Sequence, residues 1–143
     1  MTLYRFLTPE DAALLCAQPT GLFDRPVDPD QTRAFLESAL HVIAVAQDDD
    51  LILSFASATI LLHPDKPPAM FINEVGTRDE HQRKGHASRV TRMLIDHADA
   101  ADLDGVWLGT EPDNAPALAL YRSLKGDERT FVGFAWDGAF DLD

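Results

Sequence analysis

Cysteine is almost absent: Cys16 is the only one in 143 residues, so no internal disulfide can form. The amino terminus carries no basic segment followed by an apolar run, the mark of a secretory leader, and a reducing, cytoplasmic setting is expected. Cys16 falls in a predicted helix, far in sequence from any basic neighbour, and is expected to be a buried packing residue rather than a nucleophile. Long hydrophobic runs are missing too. The longest, residues 51–62, is broken by Ser54, Ser57 and Thr59 and falls short of the roughly 20 residues that span a bilayer, so no membrane role is expected. Cationic side chains are scarce, 12 Lys and Arg against 24 Asp and Glu, for a net charge of −12. Such a surface repels nucleic acid and attracts cations; it serves solubility, or steers a cationic substrate. The histidines, His41, His63, His81, His86 and His97, form no ligand spacing with Cys or carboxylates, and no metal site is expected.

What is present suffices for one domain over residues 1–143, because 45% hydrophobic content at this length can bury a core without staples. Residues 3–7 predict a first strand, and Thr8-Pro9-Glu10-Asp11 supplies an N-cap, a proline at the first helical position and an acidic first turn. A turn-rich loop at 19–29 precedes a second helix over 30–40. Residues 41–47 and 51–62 predict a hairpin about Asp48-Asp49-Asp50, and 69–77 another strand. Val90, Met93, Leu94, Ala98 and Ala101 recur at helical spacing over 86–101. A short strand at 105–110, a helix capped by Asn114 with Pro116 in its first turn, and a last strand within 130–136 complete the order. The compact solution is an α/β (α+β) fold, a mixed central sheet of about six strands with helices on both faces.

Chemistry concentrates where the strand Phe71-Ile72-Asn73-Glu74-Val75-Gly76-Thr77 runs through Arg78, Arg83 and Lys84 into Gly85-His86-Ala87-Ser88. A helix amino terminus exposes unpaired N–H groups and a positive dipole end, and a small residue there lets a phosphate approach the backbone. Arg78, Arg83, Lys84, Arg89 and Arg92 make this one locally basic site on an acidic protein, with His81 and His86 lining it. The lone Gly85 excludes both a nucleotide-triphosphate loop and a dinucleotide glycine triplet. The hexapeptide Gln82-Arg83-Lys84-Gly85-His86-Ala87 resembles the pyrophosphate-binding signature of the GCN5-related N-acetyltransferases: Gln or Arg, two residues, Gly, one residue, Gly or Ala. Asn114, Ala117 and Tyr121 match the same family's Asn, two residues, Ala, three residues, Tyr on the next helix. The resemblance covers residues 69–126 well and the remainder in element order. It departs after Tyr121, where the usual Gly-Phe is replaced by Leu124-Lys125-Gly126-Asp127. Phe71-Ile72-Asn73-Glu74, the Leu120-Tyr121 helix and an acidic carboxy-terminal tail are closest to the aminoglycoside 3-N-acetyltransferase branch.

The resemblance implies the GNAT fold and acetyl-coenzyme A as cosubstrate, cradled by Gln82, Arg83, Lys84, Gly85, His86, Ala87 and Ser88, with contacts from Asn114 and Tyr121. It implies a small cationic amine acceptor, such as an aminoglycoside antibiotic. Amine attack needs a proton acceptor. Glu74 is the first candidate, on the strand the resemblance places beside the thioester, and Glu111, at the end of the next strand, is the second; either could equally be a solvated or ion-paired surface residue. Backbone N–H groups of Val75, Gly76 and Thr77 would polarise the carbonyl and pair with the pantetheine arm, Gly76 permitting a bulge. Tyr121 is the candidate general acid for the departing thiolate; without the motif it would read as a core residue, and Asn114 as an N-cap. Acetylation of a protein amino terminus or lysine, and a noncatalytic acyl-coenzyme A binding module, are the competing readings. The chain is expected to act as a monomer or homodimer.

Overall fold

The computed structural model describes residues 1–140, so the acidic tail of the sequence reading lies largely outside the described residues. The chain divides into two compact units, residues 1–109 and 110–143. The first carries β1 (Leu3–Phe6), α1 (Ala12–Cys16), α2 (Pro29–Glu37), β2 (His41–Asp48), β3 (Leu51–Leu61), β4 (Ala69–Thr77), α3 (His86–Ala100) and β5 (Val106–Trp107). The second carries α4 (Ala115–Ser123).

The five strands lie in sequence order in one sheet, antiparallel from β1 to β4 and parallel between β4 and β5. Alternation along β2 sorts its side chains onto two faces. Ala44 and Ala46 join Leu53, Ala56, Met70 and Ile72 against Val90, Leu94 and Ala98 of α3. Ile43 and Val45 join Ile52 and Phe55 against Leu15, Leu22 and Leu36, the last two from the loop after α1 and from α2. Helices therefore cover both faces, as a sheet buried on both sides requires. Each fully buried Leu, Val, Ile or Met contributes on the order of 1.5–3 kcal/mol. The β2–β3 register slips between Ala46 and Gln47, leaving Leu53 as the extra residue, which is why Leu53 and Ala56, and likewise Ile52 and Phe55, share a core although they stand three apart.

The first cap follows the sequence reading, while the second, at Asp28, lies within the stretch the sequence assigns to a loop and starts α2 at Pro29, its end falling at Glu37. Thr8 and Asp11 form a capping box over the 3₁₀ turn Pro9–Asp11, and the Asp28 side chain accepts the Gln31 N–H at 2.8 Å ahead of Pro29.

Three expectations change. Cys16 does lie in a helix but its side chain is exposed, because the buried position of this five-residue helix is Leu15. The strand expected over 105–110 contracts to Val106–Trp107. Its ladder pairs Met70 with Val106 and Phe71 with Trp107, then stops beside a bulge in β4, where the β3 register jumps from Glu74 to Ile72 and leaves Asn73 as the extra residue. The strand expected within 130–136 does not form, giving five strands instead of about six among the described residues. Phe131, Val132, Phe134 and Trp136 remain exposed. The segment bends back on itself: the Phe140 ring lies where a Cβ on Gly133 would come within 3.1 Å, and Asp137 and Gly138 turn left-handed. A glycine in the middle of the apolar alternation favours that bend over extension.

Candidate functional site

β4 delivers the chain to α3 through the 3₁₀ turn Asp79–His81. Gly85 occupies the N-cap position of α3 at φ +83°, and no side chain caps this end. Nothing lies within 4 Å of where its Cβ would stand, so the glycine serves the left-handed backbone and keeps the approach to the helix open. Arg83, at φ +62°, and Lys84 are exposed beside it. The first turn, His86 to Ser88, supplies backbone N–H groups that the helix itself cannot satisfy. Gln82 donates to Asp79 Oδ1 at 3.3 Å and steadies the turn. Open space, positive charge and uncapped amides together fit a pyrophosphate.

Two basic-segment residues do something other than line that cradle. The His86 ring is buried, its Nδ1 2.6 Å from the Tyr4 hydroxyl, and the Arg89 guanidinium lies 4.0 Å over the Tyr4 ring. Burial first, then the charges of His81 and Lys84, lower the His86 pKa against the opposing pull of Asp48. Only the backbone of His86 is available to an anion at the helix end. Arg78 is 3% exposed and donates to the carbonyls of Ile52, Thr20 and Pro19 and to Gln18 Oε1. It belongs to the framework, not to the cradle.

The bulge that ends the β4–β5 ladder shapes the second part of the site. From Ile72 to Thr77, β4 keeps β3 on one side while β5 has already left the other. The backbone of Val75, Gly76 and Thr77 therefore has one edge open to an extended ligand. The bulge sits at Asn73, where Asn73 Nδ2 donates to Thr59 Oγ1 at 2.8 Å, and not at Gly76 as the sequence reading expected. Gly76 pairs with Phe55 instead, and a Cβ there would meet the Phe55 ring at 2.8 Å. Glu74, within the same stretch, is raised in pKa by burial first and by the Asp24 carboxylate second. Asp24 lies in the turn-rich loop, where no periodicity or motif marks it.

In the second unit, Asn114 Oδ1 accepts the Ala117 N–H at 3.2 Å, so it caps α4 and retains its amide NH₂ for another partner. Tyr121, half-buried on α4, has its phenol pKa raised by burial. Glu111 is exposed in the loop before α4, its carbonyl accepting the Asn114 N–H at 3.1 Å. It stands four residues beyond β5, not at a strand end, because β5 stops at Trp107.

A sequence model described as Acetyltransferase (GNAT) family matches residues 11–126. Among curated protein sequences, none matches the chain. Among solved structures, an aminoglycoside acetyltransferase from an uncultured soil metagenomic sample, in complex with sisomicin, superposes with a TM-score of 0.83 at 17% identity, covering 94% of this chain and 95% of its own. The aminoglycoside N-acetyltransferase AAC(6')-Iy, in complex with a bisubstrate analog of coenzyme A and acetylneamine, gives 0.78 at 15%, over 96% and 98%. A ribosomal-protein-alanine N-acetyltransferase from Brucella melitensis biovar Abortus 2308 gives 0.74 at 15%, over 95% and 98%. With the matched residues holding both the open β4 edge and the uncapped α3 terminus, the chain belongs to the acetyltransferase (GNAT) family and is an N-acetyltransferase.

Proposed function

We propose that the chain transfers an acetyl group from acetyl-coenzyme A to a primary amine of a small cationic acceptor, with aminoglycosides as the leading class. The observation that carries this reading is the departure of β5 from β4 after Phe71, just ahead of Glu74 and the open Val75–Thr77 backbone. Acetyl-coenzyme A supplies the activated thioester; the residues derive the rest. The α3 amides with Arg83 and Lys84 hold the pyrophosphate, and the β4 edge pairs with the pantetheine arm. A β4 N–H donates to the carbonyl oxygen as the amine nitrogen forms its new bond to carbon and the carbon–sulfur bond breaks. Glu74, directly or through a water, takes the proton that the nitrogen sheds as the neutral amine attacks. Its raised pKa brings it nearer the amine's and makes it a better base than an ordinary carboxylate. Glu111 is the weaker candidate, because it stands in the loop beyond β5 and not on β4 beside the open backbone.

Tyr121 gives its phenolic proton to the departing sulfur and recovers it from solvent. A phenol of ordinary pKa near 10 protonating a thiolate whose thiol lies near 8.5 is uphill by about 2 kcal/mol, and the burial that raises the Tyr121 pKa adds to that. Asn114 is assigned to the cofactor through its remaining amide. The net charge of −12 supports a cationic acceptor, and the 6' position carried in the name of AAC(6')-Iy gives no support to a 3-N assignment. The family match runs through both compact units, which supports one N-acetyltransferase domain over residues 1–143. A thiol-release assay with acetyl-coenzyme A across aminoglycosides, polyamines and peptides tests the reading. Turnover on aminoglycosides is expected; turnover confined to peptides would move the assignment to protein amines, and binding without turnover on every amine would leave a noncatalytic acyl-coenzyme A module.

A further inference from the structure

Arg78 is buried and makes four side-chain hydrogen bonds, and the acetyl transfer gives it nothing to do. Its Nε donates to Ile52 O at 2.7 Å, one terminal nitrogen to Thr20 O at 3.0 Å, and the other to Pro19 O and Gln18 Oε1 at 3.2 Å. All four acceptors are neutral. Burying a guanidinium against neutral oxygens costs desolvation that a carboxylate partner would offset, and such a cost is tolerated where the geometry it enforces matters. What it enforces is the placement of one loop. Gln18 is pinned by Nε2 to Leu14 O and Asp50 O, and its Oε1 also accepts the Ile52 N–H. Gly21 passes the guanidinium at φ +106°, with space for a Cβ only 3.5 Å from it. Leu22 is buried, its carbonyl against Gly76, and the Phe23 ring packs on Phe55 with centroids 4.6 Å apart. Gly76 is glycine so that Phe55 can take that position. The next residue is Asp24, exposed, two residues beyond the Leu22 carbonyl that lies against Gly76 of β4.

We propose that Arg78 is a positioning residue that locks residues 18–23 onto the sheet, so that Asp24 stands beside Glu74 and selects amine acceptors carrying a second ammonium group. The inference rests on the acetyl-transfer reading and deepens it. The reacting amine must be neutral to attack, so the charge of a polyamine that Asp24 recognises is that of another nitrogen in the same molecule. Discrimination between the two kinds of acceptor then falls on binding, while the influence of Asp24 on Glu74 is common to both. The raised pKa of Glu74, attributed in part to Asp24, agrees with this proximity.

The test uses the full chain, with sisomicin as the polyamine and glucosamine as the monoamine. Asp24→Asn is expected to raise the KM for sisomicin about tenfold, the loss of one charge-assisted contact, and that for glucosamine by less than about twofold, with any change in kcat the same for both amines. Arg78→Met is expected to speed amide hydrogen exchange of residues 18–24 by about tenfold or more while α3 stays protected, and to reproduce the Asp24→Asn effect. The double variant should be no worse than Arg78→Met alone. If Arg78→Met does not fold, Arg78→Lys, which keeps the charge but loses the fork, should show the same effects in smaller measure. Unchanged loop exchange overturns the anchoring role, and equal effects of Asp24→Asn on both amines overturn the selecting role. If the wild-type chain acetylates neither amine, the reaction and the role of Asp24 fall together, while hydrogen exchange still decides what Arg78 does.

Discussion

Two helix amino termini carry the two motifs of this chain, and they are finished in opposite ways. α4 opens on Asn114, whose side chain fills the cap, with proline in the first turn. α3 opens on Gly85, which has no side chain with which to do so, after two exposed basic residues. α4 buries no residue fully, whereas α3 is held to the sheet by Val90, Leu94 and Ala98. The difference teaches what each end is for. A cap worth about 1 kcal/mol is useful to a weakly buried nine-residue helix. A helix anchored along its length can leave its first amides to a ligand. Cradle and cap are alternative uses of the same unpaired groups.

On the proposed reading, binding belongs to the α3 end and chemistry to a side chain of α4. The sharpest way to break it is Tyr121→Phe. Loss of a general acid is expected to lower kcat by about 10²-fold or more, with the dissociation constant for coenzyme A changed less than about twofold. Steady-state kinetics beside calorimetric titration would check this, and a large loss of coenzyme A affinity would mean that Tyr121 binds and does not donate. The second largest effect should come from giving α3 the kind of end that α4 has. Gly85→Asp places a carboxylate where the pyrophosphate is to sit. It is expected to weaken coenzyme A binding by about 10²-fold through lost anion complementarity, while the thermal midpoint moves little because a capping side chain offsets the strain at φ +83°.

Much of this contrast was legible in the sequence, and the reasons differ by residue. Gly85 and Asn114 were readable because helix ends are decided locally, by a few residues next to a periodic run. The β2–β3 hairpin announced itself by two apolar runs about an aspartate turn, and α3 by its period of 3.6. The bulge at Asn73 was not readable, since a register is a relation between strands and Asn73 looks like any strand residue. Gly76 drew attention because glycine permits a bulge, yet it is glycine to make room for the Phe55 ring. Arg78 counted as basic in the sequence and is framework in the fold, because its four acceptors come from residues 18–20 and 52, all remote in sequence. The strand expected in 130–136 shows the reverse error: alternation of Val132, Phe134 and Trp136 suggests a sheet face, but a ladder needs a partner as well as a pattern.

Removing the cap instead of adding one is the milder variant. Asn114→Ala leaves the Ala117 N–H without its acceptor and should destabilise α4 by about 1 kcal/mol, read as faster amide exchange of residues 115–118. If Asn114 also contacts the cofactor through its NH₂, affinity for coenzyme A should fall as well. Asn114→Asp separates the two roles, since it keeps the capping oxygen and loses the donor. Restored protection with unrestored affinity would assign the amide to the cofactor.

The smallest expected effect is the displacement of the acid limb of the pH profile, and its sign is fixed by the direction of the Glu74 shift. A base must be ionised to act, and burial together with Asp24 holds the Glu74 carboxyl above the ordinary glutamate range. Activity should therefore fail on the acid side at a higher pH than for an exposed glutamate, and Glu74→Gln should remove that limb together with most of the rate. Asp24→Asn takes away the second cause and leaves the first, so the limb should move to lower pH without reaching the ordinary value. The same shift acts on stability in the direction opposite to that of Asp11, whose pKa is lowered, first by its hydrogen bonds from Arg5. The Asp11 contribution is present above its unfolded pKa and is lost as pH falls through the lower, folded value. For Glu74 the protonated form is the one the fold prefers. Stability falls as pH rises from the unfolded pKa through the raised one, and Glu74→Gln should relieve that loss. Activity gained on ionisation and stability lost over the same window are what a base held in a partly desolvated site must show. Denaturant midpoints and kcat/KM profiles that move in the same direction across that window would remove Glu74 from the role.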